Sequence, residues 1–272
     1  MNSECKPRFT SQELADRIKG HIEELAQATD AARVSTEMLQ FLEMCSRFHQ
    51  YSWCNTWLIM LSCPHASHVA GFRKWQSLNR FVRKGEHGIP ILAPILIADK
   101  SDSKRDEVQI RTLRGFKVVY VFDVSQTEGE PLPEPPDWKS SEKNIKLTES
   151  LIAFAQERRI TVIEKVLASE IQGVSKGGSI DLAPEAGTST LIHELAHELL
   201  HQQEFELSMT REEKELEAEA VAFVVGRHFG LEMSSSANYI SLWKGEKNSI
   251  LDHIERIQKA ASEIISAVSP MV

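Results

Sequence analysis

Apolar residues recur at helical spacing through residues 10–30 (TSQELADRIKGHIEELAQATD) and again through 34–50, which predicts two amphipathic helices. The texture changes at Val69. VAGFRKWQSLNRFVRKGEHGIPILAPILIAD reads as a short basic helix, a Gly-marked turn and an apolar strand, and RTLRGFKVVYVFDV follows as a second strand. The intervening DKSDSKRDE is a solvated loop or hairpin tip. Farther on, TESLIAFAQERR has helical spacing, ITVIEK is a short strand, and EIQGVSKGGSIDLAP predicts two strands around a Lys-Gly-Gly turn. Three helices complete the chain: one carrying TSTLIHELAHELLHQ (188–202), one from Arg211 to His228 closed by Gly230, and one over about 248–267.

The pattern is broken once decisively. Pro131, Pro133, Pro135 and Pro136 fall within six residues beside acidic neighbours, where neither a helix nor a central strand continues. This places a linker at 131–143 between a domain of residues 1–130 and one of 144–272, and the 272-residue length suits two domains. The element pattern predicts an α+β fold.

Charge divides the chain in the same way. Residues 1–125 hold 17 Lys and Arg against 14 Asp and Glu, and the remainder 14 against 25, which together make the net −8. Such asymmetry predicts different partners for the two halves. No run reaches the length of a membrane span and no apolar leader opens the sequence, so the expected location is the cytoplasm. Cys5, Cys45, Cys54 and Cys63 form no CxxC pair and read as free thiols.

The chemistry concentrates in TSTLIHELAHELLHQ. His193 and His197 lie one helical turn apart and project from one face, so both can reach a single Zn2+. Glu194 beside them is placed to take a proton from water, the mechanical content of H-E-x-x-H. Leu191, Ile192, Leu195 and Leu199 give the helix a buried side. His201 stands about 12 Å along the axis from His193, at about 1.5 Å per residue, too far to share the ion, and is assigned to support or to the surface.

A third ligand is therefore expected from REEKELEAEAVAFVVGRHFG. Most of its acids read as a solvated face. Glu219 differs, because Leu216, Ala222, Phe223 and Gly226 surround it at helical spacing, and a carboxylate in an apolar stripe needs a cation. Glu219 is chosen over Glu217. Tyr239 could donate its phenol to a developing oxyanion, or could pack against Trp243.

In the first half, Arg73, Lys74, Arg80, Arg83 and Lys84 interleave with Phe72, Trp75 and Phe81, the mixture of cations and aromatic faces used in sequence-tolerant single-strand binding. The plain alternative is a solvated amphipathic helix with its aromatic residues in the core. Asn55, among Trp53, Trp57 and Leu58, is either a nucleic-acid contact or a satisfied buried amide.

HELAHELLH followed by EAEAVAFVV resembles the zincin-type peptidase domain of the ImmA/IrrE and ArdC-like proteins, in which the Glu before an A-x-x-F/A-like run is the third ligand, and this supports Glu219. The stretch YSWCNTWLIMLSCPHASHVAGFRKWQSLNRFVRKGEHGIPILAP resembles the N-terminal domain of ArdC-type antirestriction proteins, VFDVSQTEG its closing segment, and NYISLWKG a C-terminal segment. The resemblance covers most of residues 45–245. It implies a mobile-element protein that binds single-stranded DNA through its first domain and carries a gluzincin-like zinc peptidase in its second. Two rivals stay open: a DNA-coating antirestriction factor with a structural zinc, and a regulatory peptidase that cleaves a repressor.

Overall fold

The structure, a computed structural model, describes residues 9–27, 31–98, 111–132, 141–168, 170–202, 209–233 and 247–269. It is α+β and divides into two compact units, one of residues 1–22 with 54–132 and one of 23–53 with 133–272. Helix α1 (Ser11–Gln27) runs from the first into the second.

The first unit is built on a three-stranded antiparallel sheet in which β4 (Arg111–Asp123) lies between β1 (Val69–Gly71) and β3 (Ile89–Ala98). The apolar run and its partner are the two long strands expected from the sequence. A second ribbon pairs β2 (Arg80–Val82) with β5 (Thr127–Gly129), and no periodicity announces it because each strand has three residues. Helix α3 (Trp53–Ser62) buries Trp57, Leu58 and Ile59, and the short α4 (Phe72–Ser77) buries Trp75. Asp123 ties the connections together. Its carboxylate accepts from the backbone N–H groups of Ser67 and His68 at 2.8 and 3.1 Å and of Ser125 at 2.9 Å. Burial pushes this carboxyl up, but those hydrogen bonds outweigh it and hold it below the usual Asp range.

The second unit sets a small sheet against helices. Strand β6 (Thr161–Glu164) runs parallel to β8 (Ser179–Leu182), and β7 (Gly173–Ser175) pairs antiparallel with β8 on the other side, at the edge. Helix α6 (Thr188–Leu200) packs on β7 and β8, and α7 (Arg211–His228) packs on α6. The start of α7 is closed by a capping box, in which the Thr210 hydroxyl accepts from Glu213 N–H and the Glu213 carboxylate accepts from Thr210 N–H. From Leu216 to Gly226 nearly every residue of α7 is buried. A helix apolar on all sides needs cover on several faces.

That cover comes from two helices far apart in the sequence. Helix α8 (Lys247–Val268) lies on α7, and so does α2 (Ala31–Arg47), through a stripe of Val34, Met38, Phe41, Leu42 and Cys45. Arg227 donates to Glu43 at 2.9 Å and the His228 ring bonds the Ser46 carbonyl at 2.8 Å. Residues 23–53, which the sequence reading placed in a domain of 1–130, pack within the second unit. Among the described residues, no helix is long and apolar enough to cross a membrane.

Candidate functional site

Helix α6 buries Leu191, Ile192, Leu195 and Leu200 on one side, which turns His193 and His197 to the other. Their Nε2 atoms converge to 3.1 Å. A carboxylate oxygen of Glu215, from the first turns of α7, lies 3.4 Å from His193 Nε2 and 3.6 Å from His197 Nε2. Ligand atoms at about 2.0–2.1 Å around a tetrahedral ion stand roughly 3.3 Å apart. The three atoms have the spacing of one face of such a shell, and the two-nitrogen, one-oxygen set suits a divalent ion of the zinc type. Burial lowers both histidines, His197 to about 4, with His193 as its next contributor, so the imidazoles are neutral and offer lone pairs at ordinary pH.

The structure brings Glu215, not Glu219, to the two histidines among the described residues. Glu219 stands one turn farther along α7 and lines a cavity of about 690 Å³ with His193, Glu194 and Phe223, one of its carboxylate oxygens buried with no hydrogen-bond partner. Glu217, the rejected alternative, is fully buried and turned elsewhere. It bonds His201 Nε2 at 2.9 Å and His253 Nδ1 at 2.6 Å, with Arg256 Nε at 3.3 Å. Burial pushes its carboxyl up, but these partners outweigh it and bring it down to about 2. His201 is no surface residue either, because its side chain is 4% exposed and its Nδ1 lies 2.9 Å from His197 Nδ1.

Glu194 sits on the cavity wall, nearly buried. Burial lifts its carboxyl to about 7; Glu215 and Glu198 add to the rise, and the Ser175 N–H opposes it. Strand β7 makes room for it, since a Cβ on Gly173 would lie 2.7 Å from Glu194 Cγ and 2.8 Å from its Oε1. Glu198, one turn on and unremarked in the sequence, fixes that strand. It accepts from the N–H groups of Lys176, Gly177 and Gly178 at 3.0, 2.9 and 2.6 Å and from the Ser175 hydroxyl at 2.7 Å. The turn it clasps needs positive φ at Gly177 and Gly178. Four charge-assisted bonds from one carboxylate set β7 against the histidine helix. Tyr239 lies outside the described residues.

In the first unit the expected nucleic-acid residues separate into two groups. Asn55 is consumed by β3: its amide donates to Leu92 C=O at 2.9 Å and accepts from Leu92 N–H at 2.8 Å. Trp75 is buried, and its indole N–H donates to Phe122 C=O at 2.8 Å. Arg80 clamps β5 through the Thr127 hydroxyl and the Gly129 and Glu130 carbonyls, and Arg83 pairs with Glu86 at 2.8 Å and donates to Ser125 C=O. These four hold the unit together. Arg73, Lys74 and Lys84 stand exposed. Of the aromatic residues expected to contact nucleic acid, Phe72 and Phe81 are 48% and 53% exposed.

Residues 10–122 match the family model of the N-terminal domain of anti-restriction factor ArdC. A Bacillus anthracis protein, described as uncharacterized protein pXO2-81, is 22% identical over 310 residues, covering 96% of this chain and 52% of its own length. The chain therefore spans about half the length of that curated relative. Among solved structures, the Mn(II)-bound antirestriction ArdC protein from R388 plasmid matches with a TM-score of 0.51 at 19% identity, covering 96% of this chain and 98% of that one. Its metal-free form matches with a TM-score of 0.49 at 18% identity, covering 90% and 100%.

Proposed function

We propose that the chain is an ArdC-like, antirestriction-type protein of a mobile element that joins a metal-dependent peptidase to a single-stranded-DNA-binding unit. The observation that carries the peptidase half is the meeting of His193 Nε2, His197 Nε2 and a Glu215 oxygen at 3.1–3.6 Å beside the nearly buried Glu194. His193, His197 and Glu215 would hold the ion. Three protein ligands, rather than four, are the number found where a position is left for substrate. A divalent ion held there would supply Lewis acidity to a carbonyl oxygen and to water. Zinc suits the donor set, and the R388 relative's manganese marks the divalent class.

Glu194 does the proton work. With its carboxyl lifted to about 7, its carboxylate form takes a proton from water as the water oxygen bonds to the carbonyl carbon, and returns it to the amine nitrogen as the peptide C–N bond breaks. Edge strand β7 borders the same cavity through Gly173, so an extended peptide has a sheet edge to lie along. The glycine keeps that edge close to the carboxylate.

Zinc and manganese content of the purified chain and two variants tests the site. Glu215→Ala should lose the roughly one ion per chain that wild type holds, and Glu219→Ala should keep it. Retention by Glu215→Ala with loss by Glu219→Ala would return the third position to Glu219.

For the DNA half, Arg73, Lys74 and Lys84 supply phosphate contacts and Phe72 and Phe81 supply stacking faces. Base–aromatic stacking is worth about 1–3 kcal/mol, so Phe72→Ala or Phe81→Ala should weaken oligonucleotide binding by roughly 5- to 150-fold. Neutralising the three cations together should flatten the salt dependence of binding. Unchanged affinity and salt slope in all these variants, by fluorescence anisotropy, would place DNA elsewhere or remove it as a partner.

A further inference from the structure

Behind the two converging histidines lies a buried chain of hydrogen bonds that the peptidase reading leaves unused. His197 Nδ1 faces His201 Nδ1 at 2.9 Å, and His201 Nε2 faces a Glu217 oxygen at 2.9 Å. The other Glu217 oxygen faces His253 Nδ1 at 2.6 Å and Arg256 Nε at 3.3 Å, both from α8. We infer that His201 is a positioning residue that sets the tautomer of His197 and thereby aims the His197 Nε2 lone pair at the metal position, with Glu217 and helix α8 anchoring it. The inference rests on reading His193, His197 and Glu215 as the metal site.

The protons can be assigned one at a time. Arg256 is always cationic, and a buried carboxyl ringed by a guanidinium and two imidazoles is a carboxylate, which only accepts. His201 Nε2 must then carry the hydrogen it gives to Glu217. With the His201 ring taken as neutral, its other nitrogen, Nδ1, is then a lone pair. Two lone pairs with no cation to share do not face each other at 2.9 Å, so His197 Nδ1 carries a hydrogen and donates it to His201. One nitrogen of His197 remains, and it is the Nε2 that stands 3.1 Å from His193 Nε2. The opposite tautomer of His201 would set a lone pair against a carboxylate.

Metal-bound histidines commonly give their second N–H to a carboxylate, a carbonyl or water. Here a neutral imidazole stands in that place and relays the carboxylate behind it. With the His201 side chain 4% exposed and Glu217 fully buried, solvent does not replace either link.

Histidine-labelled, metal-free, full-length protein gives the first test, through long-range ¹⁵N–¹H correlation of the imidazoles. His197 should show a protonated Nδ1 and His201 a protonated Nε2, opposite tautomers in neighbouring rings. A protonated Nε2 on His197 would overturn the inference. Zinc affinity, measured by competition with a chromophoric chelator, gives the second. His201→Leu should weaken zinc binding roughly 10- to 100-fold. His201→Gln, whose amide oxygen and nitrogen can replace the acceptor and the donor, should stay within a few-fold of wild type. Unchanged affinity in His201→Leu, or equal loss in His201→Gln, would remove the role of His201 alone. A wild-type protein that takes up no zinc would remove the metal site itself. Should His201→Leu fail to fold, the tautomers and the Gln variant decide.

Discussion

Glu194→Gln should reduce peptide hydrolysis by about 10²- to 10⁴-fold, the usual contribution of a general base, while metal content and single-stranded-DNA affinity stay at wild-type levels. The side chain keeps its size and can still accept the Ser175 N–H through its amide oxygen. His193, His197 and Glu215 are untouched, and the exposed cations and phenylalanines lie in the other unit. What is lost is the group that, under the proposed function, takes a proton from water and hands it to the leaving amine. Burial, Glu215 and Glu198 tune that group, and Gly173 leaves room for it. Single-turnover cleavage of a generic unfolded protein, with metal content measured on the same sample, reads the effect. Full protection of incoming DNA by a Glu194→Gln protein in cells would show that proteolysis is not the function, and a coat of bound protein would become the better account.

How much of this site was legible in the sequence depends on how local each contact is. The pairing of His193 with His197 follows from helix geometry alone, and Glu194 comes with it. The third carboxylate does not, because it depends on which turn of α7 meets the histidines. Apolar neighbours pointed to Glu219, yet the half-exposed Glu215, one turn earlier on the same face, is the one that reaches both rings. Glu217 was the harder case. In a run of five acids it reads as solvated, and the partners that bury it sit on α8, some 36 residues on. The same non-locality hides the partners of the basic segment: Arg80 bonds residues 47 to 50 positions away, and Asn55 and Trp75 bond strands 37 and 47 away. The two long strands of the first unit were readable from ten or more residues of pattern, whereas three-residue β2 and β5 were not. Helix α2 was visible as a helix, but its place beside α7 was not, because an amphipathic stripe names no partner.

Glu217→Ala should be strongly destabilising, at about 3–5 kcal/mol, because it removes the buried carboxylate shared by the His201 and His253 imidazoles and the partly exposed Arg256 guanidinium. At roughly 2–4 °C per kcal/mol for a unit of this size, melting should fall by about 10 °C or more. Glu219→Ala is the matched control: it lies two residues away on the same helix but on the cavity wall, where loss of a carboxylate leaves no buried cation unpaired. Its cost should stay within about 1 kcal/mol. The sign with pH follows from the depressed carboxyl. Glu217 titrates near 4.5 in the unfolded chain and about 2 in the fold. Its contribution is therefore present above about 4.5 and is lost as pH falls toward 2. Wild type should lose stability across that window and Glu217→Ala should lose less, since its acid-sensitive group is already gone. Denaturant titrations of the three metal-free proteins at pH 7 and pH 4 would measure both differences. Equal melting of Glu217→Ala and Glu219→Ala would mean that the buried cluster contributes nothing net, and that α8 is held to α7 by its apolar stripe of Ile250, Ile254, Ile257 and Ile264 alone.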